Sequence, residues 1–205
     1  ETGSVTFIGT VSPAGGNLKE PVTESTKKAA RCFYALSQNR ADSKRYPAID
    51  TLDSYSKYLE YPEFISFAKE KLDENWVELV NEARNILVRG KETEEQINIL
   101  GDDSVPIDYH VTLWKSEFVD FVILQQDAFD KIDATTSLER QEFMLKKVIG
   151  VTRSEFRFEN FEEVAIYFKR LINAFRQMNY TIFKSEEFKK AEEEANMVLE
   201  ERLIK

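Results

Sequence analysis

Cys32 and His110 are each the sole residue of their type, so nucleophilic or metal chemistry has little material here. A zinc site draws on about four Cys, His or carboxylate ligands, and nothing clusters around either residue. Cys32 sits beside Phe33 and Tyr34, where a buried small hydrophobe is expected. His110 follows Pro106 at the start of a helical pattern and is expected to be partly exposed. A phosphate-binding loop of the form Gly-x-x-x-x-Gly-Lys-Ser/Thr is absent: the glycines stand at 3, 9, 15, 16, 90, 101 and 150. Gly-x-Ser-x-Gly, His-Glu-x-x-His and Gly-x-Gly-x-x-Gly are absent too. With 37 acidic residues, paired carboxylates carry no signal. Residue types and spacing alone therefore single out no site, and that includes Tyr46 before Pro47, Gln125 and Gln126 at the end of an apolar helix pattern, and Ala128-Phe129 just beyond. Taken singly, Tyr46 and Phe129 read as packing, and the glutamines as the end of a helix.

The elements that position these residues fall into two textures. In residues 1–60, Val5-Thr6-Phe7-Ile8 is a strand pattern running into the loop Ser12 to Gly16, Glu20 to Thr23 opens a short helix, and Arg31 to Leu36 is a second candidate strand. Two or three strands do not make a stable sheet alone, so this part reads as an incomplete α/β unit. Beyond Pro62, Phe64, Phe67, Ala68, Leu72, Trp76, Leu79, Val80, Ala83, Ile86 and Leu87 recur at helical spacing. The pattern predicts a helix from Phe64 to about Arg89 stopped by Gly90, and a shorter one ended by Gly101. A turn over Asp102-Asp103-Ser104-Val105-Pro106 leads to a helix carrying Trp114, Phe118, Phe121, Val122 and Gln125. Three more helices follow, with Phe143 to Ile149, Phe161 to Phe175 and Phe188 to Leu199 on their apolar faces and Thr136 or Ser137, and Ser185, at two of their starts. The fold class is therefore mainly α: a short α/β part at 1–60, then an all-α bundle of five or six helices over 61–205.

Composition sets outer limits. Hydrophobic residues are 42% and charged residues 32%, a globular balance that excludes a disordered chain or a disulfide scaffold. The net charge is −9, the wrong sign for a nucleic-acid surface. The charge is uneven: residues 1–60 hold 8 basic and 7 acidic side chains, and residues 61–205 hold 20 and 30. No apolar run approaches the roughly 18 residues of a membrane span. The opening Glu-Thr-Gly-Ser reads as the start of a piece of a larger protein.

Three segments carry more than composition. They are Gly3 to Asn17 followed by Glu20-Pro21-Val22-Thr23; Arg45-Tyr46-Pro47-Ala48-Ile49-Asp50 followed by Leu52 to Tyr58; and Leu124-Gln125-Gln126-Asp127-Ala128-Phe129-Asp130. Together, and in this order, they resemble the catalytic A subunit of the V-type and A-type rotary ATPases. The second segment also resembles the F-type ATP synthase β subunit; the first and third favour the V/A branch. Departures are Thr51 where the family usually has Trp, Phe33-Tyr34-Ala35-Leu36-Ser37 in place of Phe-Trp-Ala-Leu-Asp, and Asp127 in place of Asn.

The resemblance implies that residues 1–60 are the end of a nucleotide-binding domain and 61–205 the C-terminal helical domain. It implies an adenine pocket walled by Tyr46 and Phe129, with Ala128, Gln125 and Gln126 beside them. A purine is a flat apolar face, and stacking one on an aromatic ring is worth about 1–3 kcal/mol. The turn Asp102, Asp103, Ser104 and Val105 is the expected contact with a central rotor stalk. ATP or ADP with magnesium is implied as the ligand of the intact complex, with none for this stretch alone and no catalytic residue within it. A B subunit in an alternating hexamer and the rotor stalk are the implied partners, without nucleic acid or membrane insertion, in a cytoplasmic assembly peripheral to a membrane. The competing reading is a non-enzymatic acidic helical interaction module.

Overall fold

The computed structural model describes residues 3–204. Among them are eight α-helices and one two-stranded antiparallel sheet, so the chain is mainly α as expected. Residues 3–60 hold α1 (Pro21–Ala29), β1 (Cys32–Phe33), α2 (Gln38–Asp42) and β2 (Tyr55–Ser56). Cys32 pairs with Ser56 and Phe33 with Tyr55. Pro21 begins α1, where its missing N–H costs nothing and its fixed φ suits a helix. The expected strand Val5 to Ile8 is not formed. Those residues are irregular and their side chains exposed, Phe7 and Ile8 at 91% each, because no second strand among the described residues supplies a ladder. The candidate strand Arg31 to Leu36 shrinks to Cys32–Phe33 and a single bridge between Leu36 and Ile49.

The bundle comprises α3 (Pro62–Lys71), α4 (Trp76–Leu100), α5 (Ile107–Val119), α6 (Leu138–Arg153), α7 (Phe161–Asn179) and α8 (Glu186–Glu200). Val164, Phe168, Leu171, Ile172 and Phe175 form a buried stripe on α7, the period that three- and four-residue spacing dictates. Phe118 of α5 meets Phe175 edge to face, centroids 4.9 Å apart, and Phe188 of α8 closes on Phe143 and Phe183. Ser137 and Ser185 accept hydrogen bonds from the backbone N–H of Arg140 and Phe188, capping α6 and α8 as their types predicted.

Two expectations about helix limits are corrected. The Phe64 to Arg89 pattern is broken at Leu72 to Asn75, where the Asp73 carboxylate accepts the Asn75 N–H at 2.6 Å in an aspartate turn. Conversely, α4 runs straight through Gly90 to Leu100. A Cβ on Gly90 would lie 2.1 Å from Ser116 Cβ and Oγ, so this glycine permits α4 and α5 to touch rather than ending a helix. Gly101, at φ 87°, is the actual stop, as glycine's freedom at positive φ allows.

His110 and Cys32 also differ from expectation. His110 is 4% exposed, stacked on Phe161 at 4.9 Å, with Nε2 3.1 Å from the Asp102 carbonyl. Phe161 lies far along the chain, so no local pattern reveals this burial. Cys32 is half-buried, and its Sγ donates to Ser56 Oγ at 3.3 Å. No helix among the described residues is long and apolar enough to cross a membrane.

Candidate functional site

Helix α5 does not stop at Val119. It widens into a π-helical turn over Asp120–Leu124, closed when the Gln125 N–H donates to the Asp120 carbonyl at 2.9 Å. Such turns recur at functional sites. The chain then leaves the helix and folds on itself through side-chain caps: the Asp127 carboxylate accepts the Phe129 N–H, and the Asp130 carboxylate accepts the N–H groups of Ile132 and Asp133. The Asp133 carboxylate takes the Asp127 N–H at 2.6 Å, and the Asp133 carbonyl takes Gln126 Nε2 at 2.6 Å. Burial holds the Asp133 carboxyl above the usual carboxylate range. Burial likewise lowers the nearby Arg140 guanidinium.

This loop meets the Tyr46 segment backbone to backbone. The Gln126 N–H donates to the Tyr46 carbonyl at 2.9 Å, and the Tyr46–Pro47 peptide is cis. Two of the three sequence segments are therefore joined directly. Their side chains divide: Phe129 is 98% exposed and Tyr46 54% exposed, and Ala128 is exposed with them. Gln125 and Gln126 instead line a cavity of about 890 Å³, together with Pro47, Arg40, Trp76 and Met144; Tyr46, Ala128 and Phe129 do not line it. The Gln125 amide nitrogen is buried with no hydrogen-bond partner.

A charge cluster behind this junction is what sequence reasoning missed. Arg45 grips Glu117 with both ends of its guanidinium, Nη1 to Oε1 at 3.0 Å and Nη2 to Oε2 at 2.7 Å. Nη1 also donates to Asp120 Oδ2 at 2.9 Å, and the guanidinium lies 4.7 Å over the Phe121 ring. Burial alone would lower the Arg45 pKa; its bonds to Glu117 and Asp120 outweigh that and hold it above the ordinary arginine value. Arg40 Nη1 sits 2.8 Å from the other Asp120 oxygen, but off the hydrogen-bond direction. Arg40 Nε and Nη2 and Asp120 Oδ1 are buried without hydrogen-bond partners. The available signal was Asp120 itself, an acid inside Phe118-Val119-Asp120-Phe121-Val122, since a charge in an apolar run calls for a partner.

The turn Asp102 to Val105 lies at the other end of α5, roughly 25 Å away at 1.5 Å per residue. Asp102–Ser104 form one 3₁₀ turn, all three exposed, with Val105 half-buried. Ile99 and Leu100 just before it are also exposed. The structure does not bring this turn together with Tyr46 or Phe129. Among the described residues no three Cys, His, Asp or Glu side chains converge as a metal-binding set, so none is given a role toward magnesium.

The fold is thus a helical bundle preceded by a short part with two helices and a two-stranded sheet, the two meeting at a junction of two loops. Comparison with known proteins gives the same division: residues 1–56 match the ATP synthase alpha/beta family, nucleotide-binding domain, and residues 66–164 match the C-terminal domain of V and A type ATP synthase. The chain is thus similar, in two consecutive stretches, to the V- and A-type ATP synthase alpha chains. It is 40% identical over 190 residues to the V-type ATP synthase alpha chain of Borrelia duttonii, covering 93% of this chain and 31% of that one. The counterpart of Treponema denticola is 38% identical over 191 residues (93% and 30%), and that of Protochlamydia amoebophila 36% over 200 residues (98% and 33%). The chain spans about a third of the length of these relatives. The fold also matches the ATP synthase subunit NeqB from Nanoarcheaum equitans at a TM-score of 0.52 and 21% identity, over 67% of this chain and 33% of that one.

Proposed function

We propose that this chain is the C-terminal part of the catalytic subunit of a rotary ATPase or ATP synthase, where it supplies one wall of the adenine pocket and a helical hairpin facing the rotor. Tyr46 and Phe129 stack on the base, Ala128 lies against it, and Gln125 and Gln126 shape the loop that carries Phe129. The observation that carries this reading is the 2.9 Å bond from the Gln126 N–H to the Tyr46 carbonyl, which ties the two aromatic segments together while both rings stay open to solvent. Rings so placed can accept a flat ligand without repacking a core. The phosphate-binding loop, the magnesium ligands and the water-positioning carboxylate are assigned to the part of the longer relatives that this chain does not cover, and the residues here are given no step in phosphoryl transfer. Alone, the chain is expected to hydrolyse no ATP.

In the assembly, the proposed partners are a B subunit within an alternating hexamer and the central rotor stalk, met by the Asp102–Val105 turn. The turn's two aspartates beside Ile99 and Leu100 suit a partner that is basic and partly apolar. The complex would couple ATP hydrolysis or synthesis to proton or sodium transport, with this subunit cytoplasmic and peripheral to the membrane. The test is nucleotide affinity of the assembled complex with Tyr46→Ala and Phe129→Ala. Each lost stack is expected to weaken binding by about 1–3 kcal/mol; wild-type affinity in both variants would refute the pocket.

A further inference from the structure

Tyr46 and Phe129 belong to different parts of the fold. Tyr46 follows α2 in the α/β part, and Phe129 follows α5 in the bundle. A base held between them depends on how firmly the two parts are registered. Two attachments sit at that junction: the Gln126–Tyr46 backbone bond and the side chain of the residue immediately before Tyr46. Arg45 makes three charge-assisted bonds, all to acids on α5 and its π-turn, at 3.0, 2.7 and 2.9 Å. Its own N–H donates to the Arg40 carbonyl at 2.7 Å, which closes the loop behind it. A forked guanidinium on a carboxylate fixes orientation as well as distance.

We propose that Arg45 is a positioning residue for the base site: its fork on Glu117 and third bond to Asp120 set the spacing between the Tyr46 and Phe129 walls. This rests on the adenine-wall reading above. Arg45 is not placed against the ligand; it acts through the Tyr46 backbone. The two arginines of the cluster are not equivalent. Arg45 makes three aligned hydrogen bonds to the two acids, whereas Arg40 contributes a misaligned charge contact and leaves two nitrogens unpartnered. The positioning is therefore assigned to Arg45 alone.

Two readouts test this. Exchange of the Gln126 amide proton, measured on the full chain, reports the junction without any nucleotide. Arg45→Gln and Glu117→Gln are each expected to speed it by about tenfold or more, and Arg40→Met by less than about twofold. In the assembled ATPase, Arg45→Gln is expected to raise KM for ATP by about five- to tenfold with kcat changed by less than about twofold, the signature of lost binding rather than lost chemistry. Unchanged exchange in Arg45→Gln and Glu117→Gln, an Arg40→Met effect as large as theirs, or a fall in kcat at constant KM would each overturn the assignment. If Tyr46→Ala leaves KM at its wild-type value, the adenine-wall reading fails, and the exchange data still decide whether Arg45 registers the junction.

Discussion

The residues before Tyr61 and those after it are held in place by different physics. Among the described residues of the first part, only Thr23 and Ala35 are buried. Val5, Phe7, Ile8, Tyr34 and Leu36 face solvent. The second part buries Phe118, Val148, Ile149, Val164, Phe168, Leu171, Phe175 and Met178 completely or nearly so. At roughly 1.5–3 kcal/mol for each large apolar side chain removed from water, the bundle has ample drive to fold. The first part has little of its own. It is fastened to the bundle by polar ties instead: the Arg45 fork, the Gln126–Tyr46 bond, and Arg84, whose two guanidinium ends reach the Ser54 and Leu52 carbonyls at 3.2 and 2.9 Å. The proposed base site thus sits on the seam between a self-sufficient core and a segment that borrows its stability, and polar contacts would set its geometry.

Substitutions that strike one side only should break this contrast, and the largest effect belongs to the core. Phe168→Ala is expected to lower the unfolding free energy by about 3–5 kcal/mol, seen as a fall in the denaturant midpoint for the whole chain. Gly90→Ala comes next. The added methyl gains about 1 kcal/mol of helix propensity but cannot fit 2.1 Å from Ser116, and overpacking costs about 1–3 kcal/mol or more. A net loss is expected by the same assay, with partial recovery in the double variant G90A/S116G. Arg84→Ala should cost about 1 kcal/mol and act locally: amides of residues 50–56 exchange faster while those of α7 stay unchanged. Equal acceleration in both would mean that the two parts unfold as one.

The smallest effect is a pH dependence. Asp133 holds its proton more tightly folded than unfolded, so its contribution is fully present below the ordinary aspartate value of about 3.9 and is lost as pH rises through the elevated folded value. Asp133→Asn cannot ionise. The stability of wild type relative to this variant should therefore fall as pH is raised from about 3 and then level off; a constant difference would contradict the burial argument.

How much of this was legible in the sequence follows the same seam. The stripes on α5, α7 and α8 and the caps Ser137 and Ser185 were readable because helix periodicity and capping act within a few residues. Gly90 was misread because a glycine that ends a helix and one that lets another helix approach look alike until the neighbour is known. The Val5 to Ile8 strand was predicted from its apolar side chains, but a strand is defined by a partner, and the described residues contain none for it. Tyr46, Gln125, Gln126, Ala128 and Phe129 stood out through motif resemblance. The Arg45 fork did not, because Glu117 lies 72 residues away and nothing local announces such a pairing.

The most direct measurement of the central claim is photolabelling of the assembled ATPase with an ATP analogue carrying an azide on the adenine ring, followed by peptide mapping. Label on Tyr46, and on Phe129 or its loop neighbours, suppressed by excess ATP, is the expected result. ATP-protected label that falls elsewhere, with both segments unmodified, would contradict the account.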